Sequence, residues 1–190
     1  MRRSLVSTHS QRGQSIAEFA LLLPILAVLL AAILEFGLAF DADLAVEAAS
    51  REGARIAATI GNGGTRGVCP DAVAEANVDP LIVGSVQASL STAGVSMSSV
   101  VVTVYQADAS GNPVGGKANV YRWTGSAFAR SSGNWTACSR HDGTFDGGIY
   151  DPVGVRVQLT YVSKTGVLAF FAGGLNMQAQ AIMPIGPPWR

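Results

Sequence analysis

The apolar pattern sets one stretch apart from the rest of the chain. Residues 19–34 are sixteen consecutive apolar positions, and with Glu35 tolerated the apolar run continues to Phe40. At about 1.5 Å of rise per residue, residues 19–40 make roughly 33 Å of helix, enough to cross a bilayer core of about 30 Å. No polar face interrupts 19–34, which argues against a helix buried in a soluble core. Pro24 falls one turn inside the run and is expected to kink the helix, which membrane helices tolerate. Residues 41–59 lack proline and are rich in Ala, Glu and Arg, so the helix should continue beyond the apolar block. Glu47 and Arg51 stand at i, i+4 in the favourable order. Gly61-Asn62-Gly63-Gly64 should end the helix, with Gly61 as the left-handed cap.

The remainder reads as a mixture of helix and strand. Residues 71–91 carry apolar Val73, Ala76, Leu81, Val86 and Leu90 and suggest a second helix, broken or kinked near Pro80. Residues 98–106 are β-branched and read as a strand. Residues 108–116 are rich in turn formers. Residues 120–123 and 127–130 flank Thr124-Gly125-Ser126 and suggest a hairpin. Residues 131–151 read as a loop of Gly, Ser and Asp. The clearest strand is 152–163, with Val153, Val155, Val157, Leu159 and Tyr161 on one face and Arg156, Gln158 and Thr160 on the other. An apolar connection over 164–174 includes Phe170-Phe171, a pair able to dip into the domain base or the membrane surface. A last strand over 175–185 and a loose tail from Pro187 follow. The expected class is α+β: a long N-terminal transmembrane helix continuing into a small extracytoplasmic domain with a second helix and an antiparallel sheet. The expected divisions are a leader over 1–13, a long helix over 14–60 with its span at about 19–40, and an outer domain over 61–190. The outer domain carries a loop-rich insertion at about 107–151.

Charge supplies an orientation. The chain of 190 residues has a formal net charge of zero, unevenly spread. Residues 1–13 carry Arg2, Arg3 and Arg12 and no acid; residues 14–60 carry two Arg against six acids. A short basic flank stays cytoplasmic, which places the domain outside. A secretory signal cut after Gly37-Leu38-Ala39 fits less well, because Glu18 opens the apolar run. Charged residues are only 14%, and no strongly basic patch suggests nucleic acid.

The residues bounding the span carry a resemblance. Gly13-Gln14-Ser15-Ile16-Ala17-Glu18-Phe19 resembles a prepilin processing site: a basic leader ending in Gly, then Glu at the fifth mature position and an aromatic. With Pro24, Glu35-Phe36-Gly37 and Arg51-Glu52-Gly53-Ala54-Arg55, the stretch is similar to the TadE-like minor pilins, or pseudopilins, of the tight-adherence (Flp) pilus system. The likeness is strong over about 11–60 and absent over 107–151. It implies cleavage between Gly13 and Gln14 by a prepilin peptidase, insertion in a bacterial inner membrane, and packing with other pilin-like subunits on a pilus assembly platform. It also implies that Glu18 pairs with the N-terminal amine of a neighbouring subunit. A carboxylate that only snorkels to the headgroups is the alternative, since an unpaired one in hydrocarbon costs several kcal/mol.

Ala45, Ala49, Gly53 and Ala57 recur at four-residue intervals and make a smooth stripe. Small residues at that spacing admit another backbone. Two readings stand: a subunit-packing face, or a face against this chain's own sheet. Glu35 also has two readings, snorkelling at the outer membrane face or burial for a function. Cys69 and Cys138 lie on the expected outer side, where disulfides persist and only one pairing exists. Such a bridge closes a loop of about 70 residues, worth about 4 kcal/mol in the chain-entropy account; two unpaired small hydrophobes are the alternative.

No catalytic constellation is expected, and no cofactor. There is no His-Glu-x-x-His, Gly-x-Ser-x-Gly or Walker loop, and two Cys with two distant His make no metal site. Asp142 to Gly148 offers oxygen ligands to calcium but lacks the EF-hand spacing, so a plain turn fits better. Trp123, Phe128, Trp135 and Phe145 place aromatics in the insertion. They suggest either the seal of a small lobe or an adhesive surface. The second option defines the alternative function: an unprocessed, single-pass anchored binding or adhesion module using loop 121–145.

Overall fold

The structure is a computed structural model that describes residues 11–60, 72–141, 150–164, 166 and 174–186. Its elements are α1 (Gln11–Ile60), α2 (Ala72–Thr92), β1 (Val100–Ala107), β2 (Pro113–Trp123), β3 (Phe128–Ser132), β4 (Pro152–Tyr161) and β5 (Leu175–Pro184). The expected α+β class is observed. The chain divides into two compact units, one of residues 1–38 and 162–174 and one of residues 39–161 and 175–190.

In the first unit α1 is apolar on every side. Phe19, Leu21, Leu22, Leu23, Ile25, Leu26, Val28, Leu29, Leu30, Ile33 and Leu34 are all exposed. The most apolar window of the helix has a mean hydropathy of 2.6 and is only 6% buried. A helix hydrophobic all round, with little of its most apolar window buried among the described residues, matches lipid as solvent. It is a candidate membrane span. Pro24 lies inside the helix, which continues through it.

The second unit packs two helices on one face of a five-stranded antiparallel sheet of order β3-β2-β1-β4-β5. The alternation read in β4 places Val153, Val155, Val157, Leu159 and Tyr161 in the core. β1 contributes Val100, Val102 and Val104, paired in register with Leu159, Val157 and Val155. The opposite face is polar. There Gln158 donates to Gln178 at 2.9 Å, Thr160 to Asn176 at 3.0 Å, and Arg156 to Gln180 at 2.8 Å. Tyr105 also lies on that face, opposite Gly154, donating to the Gln180 side chain at 3.0 Å. A side chain at position 154 would collide with its ring, since a Cβ there would stand 2.4 Å from Tyr105 Cζ.

Two expectations change. Residues 108–116 are not all turn, because β2 begins at Pro113. The Asp108 carboxylate accepts the backbone N–H groups of Ser110 and Asn112, each at 2.8 Å, and so closes a tight loop. The insertion thus supplies two strands of the sheet. α2 runs unbroken through Pro80, and its buried apolar residues among those described are Val78, Ile82, Val83, Val86 and Leu90, while Leu81 is exposed. Proline removes one helical hydrogen bond, and burial of this row outweighs the loss. Ala45, Ala49, Gly53 and Ala57, for which two readings stand, are buried within this chain.

Candidate functional site

The motif at the start of α1 is helical and exposed. Gly13 lies in the first turn, and a Cβ built on it meets nothing within 4 Å. Exposure fits access by a protease, as a processing site requires. Gln14 donates its side-chain amide to Glu18 Oε1 at 3.1 Å, one helical turn away. Phe19 is exposed beside Glu18. Glu18 therefore faces outward on a helix whose following turns are wholly apolar. Of the expected leader, residues 1–10 lie outside the described residues.

Glu35 is fully buried, and its Oε1 accepts the backbone N–H of Lys164 at 3.0 Å. Both residues belong to the first unit. The carboxylate therefore meets a protein donor rather than simply reaching for headgroups. A hydrogen bond to a charged acceptor is among the stronger kinds. Phe170-Phe171 lie outside the described residues.

The stripe of small residues faces inward. Gly53 sits between α2 and β4: a Cβ added there would stand 2.7 Å from Val86 Cγ2 and 2.9 Å from Val155 Cγ1. Of the two readings of the stripe, the geometry displays the second, packing on this chain's own domain. The exposed flank of the same helix carries the Glu47–Arg51 and Glu52–Arg55 ion pairs.

A buried polar cluster joins α2, β2 and the segment after β3. Asp79 Oδ1 accepts from Arg140 at 2.7 Å, and neither side chain is more than 9% exposed. Asp79 Oδ2 accepts from Asn119 at 2.7 Å and from the Tyr121 hydroxyl at 2.8 Å. Asn119 also bridges Trp135, donating to its carbonyl at 2.7 Å and accepting its N–H at 2.9 Å. The Arg140 guanidinium lies 4.2 Å from the Trp135 ring centre. Burial, and then the negative charge of Asp79, push the Tyr121 phenol well above its ordinary value. No local pattern signals this cluster, because Arg140 and Asp79 stand 61 residues apart.

A second polar group lies nearby in sequence. Asp151 is buried and accepts from Gln106 at 2.6 Å and from the His141 backbone at 2.9 Å, with His141 Nδ1 at 3.1 Å. These bonds tie β1 to the start of β4.

The aromatic residues of the insertion divide. Trp123 and Phe128 meet edge to face, with centroids 5.4 Å apart. Phe128, Tyr121 and Trp135 line a cleft of about 450 Å³ together with Asp79, Pro80, Asn119 and Arg130. Trp135 is itself buried. Phe145 and the loop from Asp142 to Gly148 lie outside the described residues. So does Cys69; Cys138 lies in the short helical turn Ala137–Ser139, and no cysteine is free among the described residues.

With the span, the outward Glu18 and the inward stripe in place, the comparison with known families becomes informative. Residues 13–55 match the family described as TadE-like protein. The match covers the motif, the candidate span and the stripe except Ala57, and it ends at Arg55, before α2 and the sheet. It bears out the resemblance read from the sequence. The TadE-like family points to a component related to the tight-adherence pilus, with pilin-like partners, and the apolar helix fits a membrane-anchored protein. No curated protein and no solved structure matches the chain.

Proposed function

We propose that this protein is a minor pilin-like, or pseudopilin, structural component of tight-adherence pilus assembly and not an enzyme. The observation that carries the reading is the TadE-like match over residues 13–55, which coincides with an exposed Gly13–Phe19 motif at the head of an uncovered apolar helix. Arg2, Arg3 and Arg12 hold the N-terminus in the cytoplasm, and the domain lies beyond the inner membrane. A prepilin peptidase cuts between Gly13 and Gln14. The new ammonium group at Gln14 then becomes available to Glu18 of a neighbouring subunit, which removes the cost of a carboxylate in lipid. Cys69 and Cys138 form a disulfide that ties the start of the domain to the segment after β3.

In this account lateral packing uses the apolar surface of α1, not its small-residue stripe, which is occupied by the chain's own domain. The test is cross-linking in membranes that contain the other pilus subunits. Glu18→Ala should leave the protein inserted and abolish its cross-links to pilin-like neighbours. Undiminished cross-linking by Glu18→Ala would overturn the role assigned to Glu18.

A further inference from the structure

The cleft between α2 and the β2–β3 hairpin lies outside the segment that matches the TadE-like family, and the pilus reading gives it no work. We propose that this cleft binds a ring-shaped carboxylate: a small ring, sugar or aromatic, that bears one negative charge. The inference goes beyond the pilus reading and stands whether or not Gly13 is processed.

Size comes first. About 450 Å³ falls within the range of small-molecule sites and holds a ring with its substituents. Shape follows from the lining, where Pro80, Tyr121, Phe128 and Trp135 come from four separate segments. Flat apolar groups of this kind favour a ligand that is itself a ring. The Trp135 indole N–H is itself buried without an acceptor among the described residues.

Charge selects among rings. The Asp79 carboxylate is neutralised by Arg140, and both of its oxygens already accept hydrogen bonds. Arg130 has no ion-pair partner among the described residues, is exposed, and lines the same cleft. It stands opposite Tyr121 in the β2–β3 register. The cleft therefore carries one uncompensated positive charge. A carboxylate matches it with a bidentate pair, whereas a cation is repelled and a dianion leaves a charge over. The floor is held by Asn119, Tyr121, Asp79 and Arg140 bonded to one another, so little ordering remains to be done on binding.

The experiment uses the full chain in detergent, with tryptophan fluorescence reporting titrations of glucuronate and benzoate against glucose and benzyl alcohol. At least one of the two carboxylates should bind saturably, and roughly tenfold or more tighter than its neutral counterpart. Tighter glucuronate supports an acidic sugar as the source, and tighter benzoate an aromatic acid. Arg130→Gln should weaken the carboxylate roughly tenfold or more without loss of fold, because Arg130 is exposed. Thr136→Trp, at an exposed position lining the cleft, should block binding. Absence of saturable binding by both carboxylates, or equal affinity in Arg130→Gln, overturns the proposal.

Discussion

Gly53 of α1 and Val155 of β4 are packed so closely that a Cβ at position 53 would stand 2.9 Å from Val155 Cγ1. On the other side Val86 Cγ2 would be 2.7 Å away. The long helix is thus seated on the domain through a residue with no side chain. Gly53→Ala adds helix propensity of about 1 kcal/mol. It also forces two stiff, buried β-branched neighbours apart, at about 1–3 kcal/mol. Overpacking should win, and the variant should unfold at lower denaturant than the parent. An unchanged or higher midpoint contradicts the seating of α1 on α2 and β4.

The Asp79–Arg140 pair is buried, whereas Glu47–Arg51 is exposed. Asp79→Ala leaves a buried guanidinium without its counter-charge and should cost about 3–5 kcal/mol of domain stability. Glu47→Ala should cost less than about 1 kcal/mol. Denaturant unfolding of both variants checks the contrast, and similar losses contradict it.

Tyr121 sets an alkaline limit. Its phenol is raised in the fold by burial and by Asp79, so the neutral form is the one the fold favours. Its contribution is complete below the ordinary tyrosine value of about 10. It is lost as pH climbs through the raised folded value, because the unfolded chain then binds fewer protons. Tyr105 is raised in the same direction, also mainly by burial. Stability should therefore begin to fall near pH 10, and Tyr121→Phe should show a shallower alkaline decline. Parallel declines in the two proteins contradict the assignment.

The Glu35–Lys164 hydrogen bond predicts protection of one amide. Glu35→Leu removes the acceptor and should speed hydrogen exchange at Lys164 roughly tenfold or more. Glu35→Gln keeps a side-chain oxygen and should stay close to the parent. Equal exchange in parent and Glu35→Leu contradicts the bond.

Much of this fold was legible because the physics involved is local. The candidate span announces itself by the unbroken apolarity of its core at 19–34, and β4 by strict alternation, since one of its faces is core and the other is polar. The hairpin was legible at Thr124-Gly125-Ser126. The start of β2 was not, because Pro113, Gly115 and Gly116 read as turn. That part of β2 lies beyond its pairing with β3, which begins at Val120, so glycine is tolerated there. The choice of inward face on α1 also escaped the sequence. Ala45, Ala49, Gly53 and Ala57 fit a neighbouring subunit and their own sheet equally well, and only long-range packing decides. The cleft was half legible. Phe128 and Trp135 stand out as aromatics of the insertion, but Asp79, Asn119, Tyr121 and Arg140 converge only through the topology.

The most direct test of the account is the identity of the first residue of the protein extracted from membranes. The pilin-like reading expects Gln14, and expects Gly13→Phe to leave the leader attached. A start at Met1 in the parent protein contradicts the processing and makes the chain an anchored module. A start at Phe40 contradicts the membrane anchor as well.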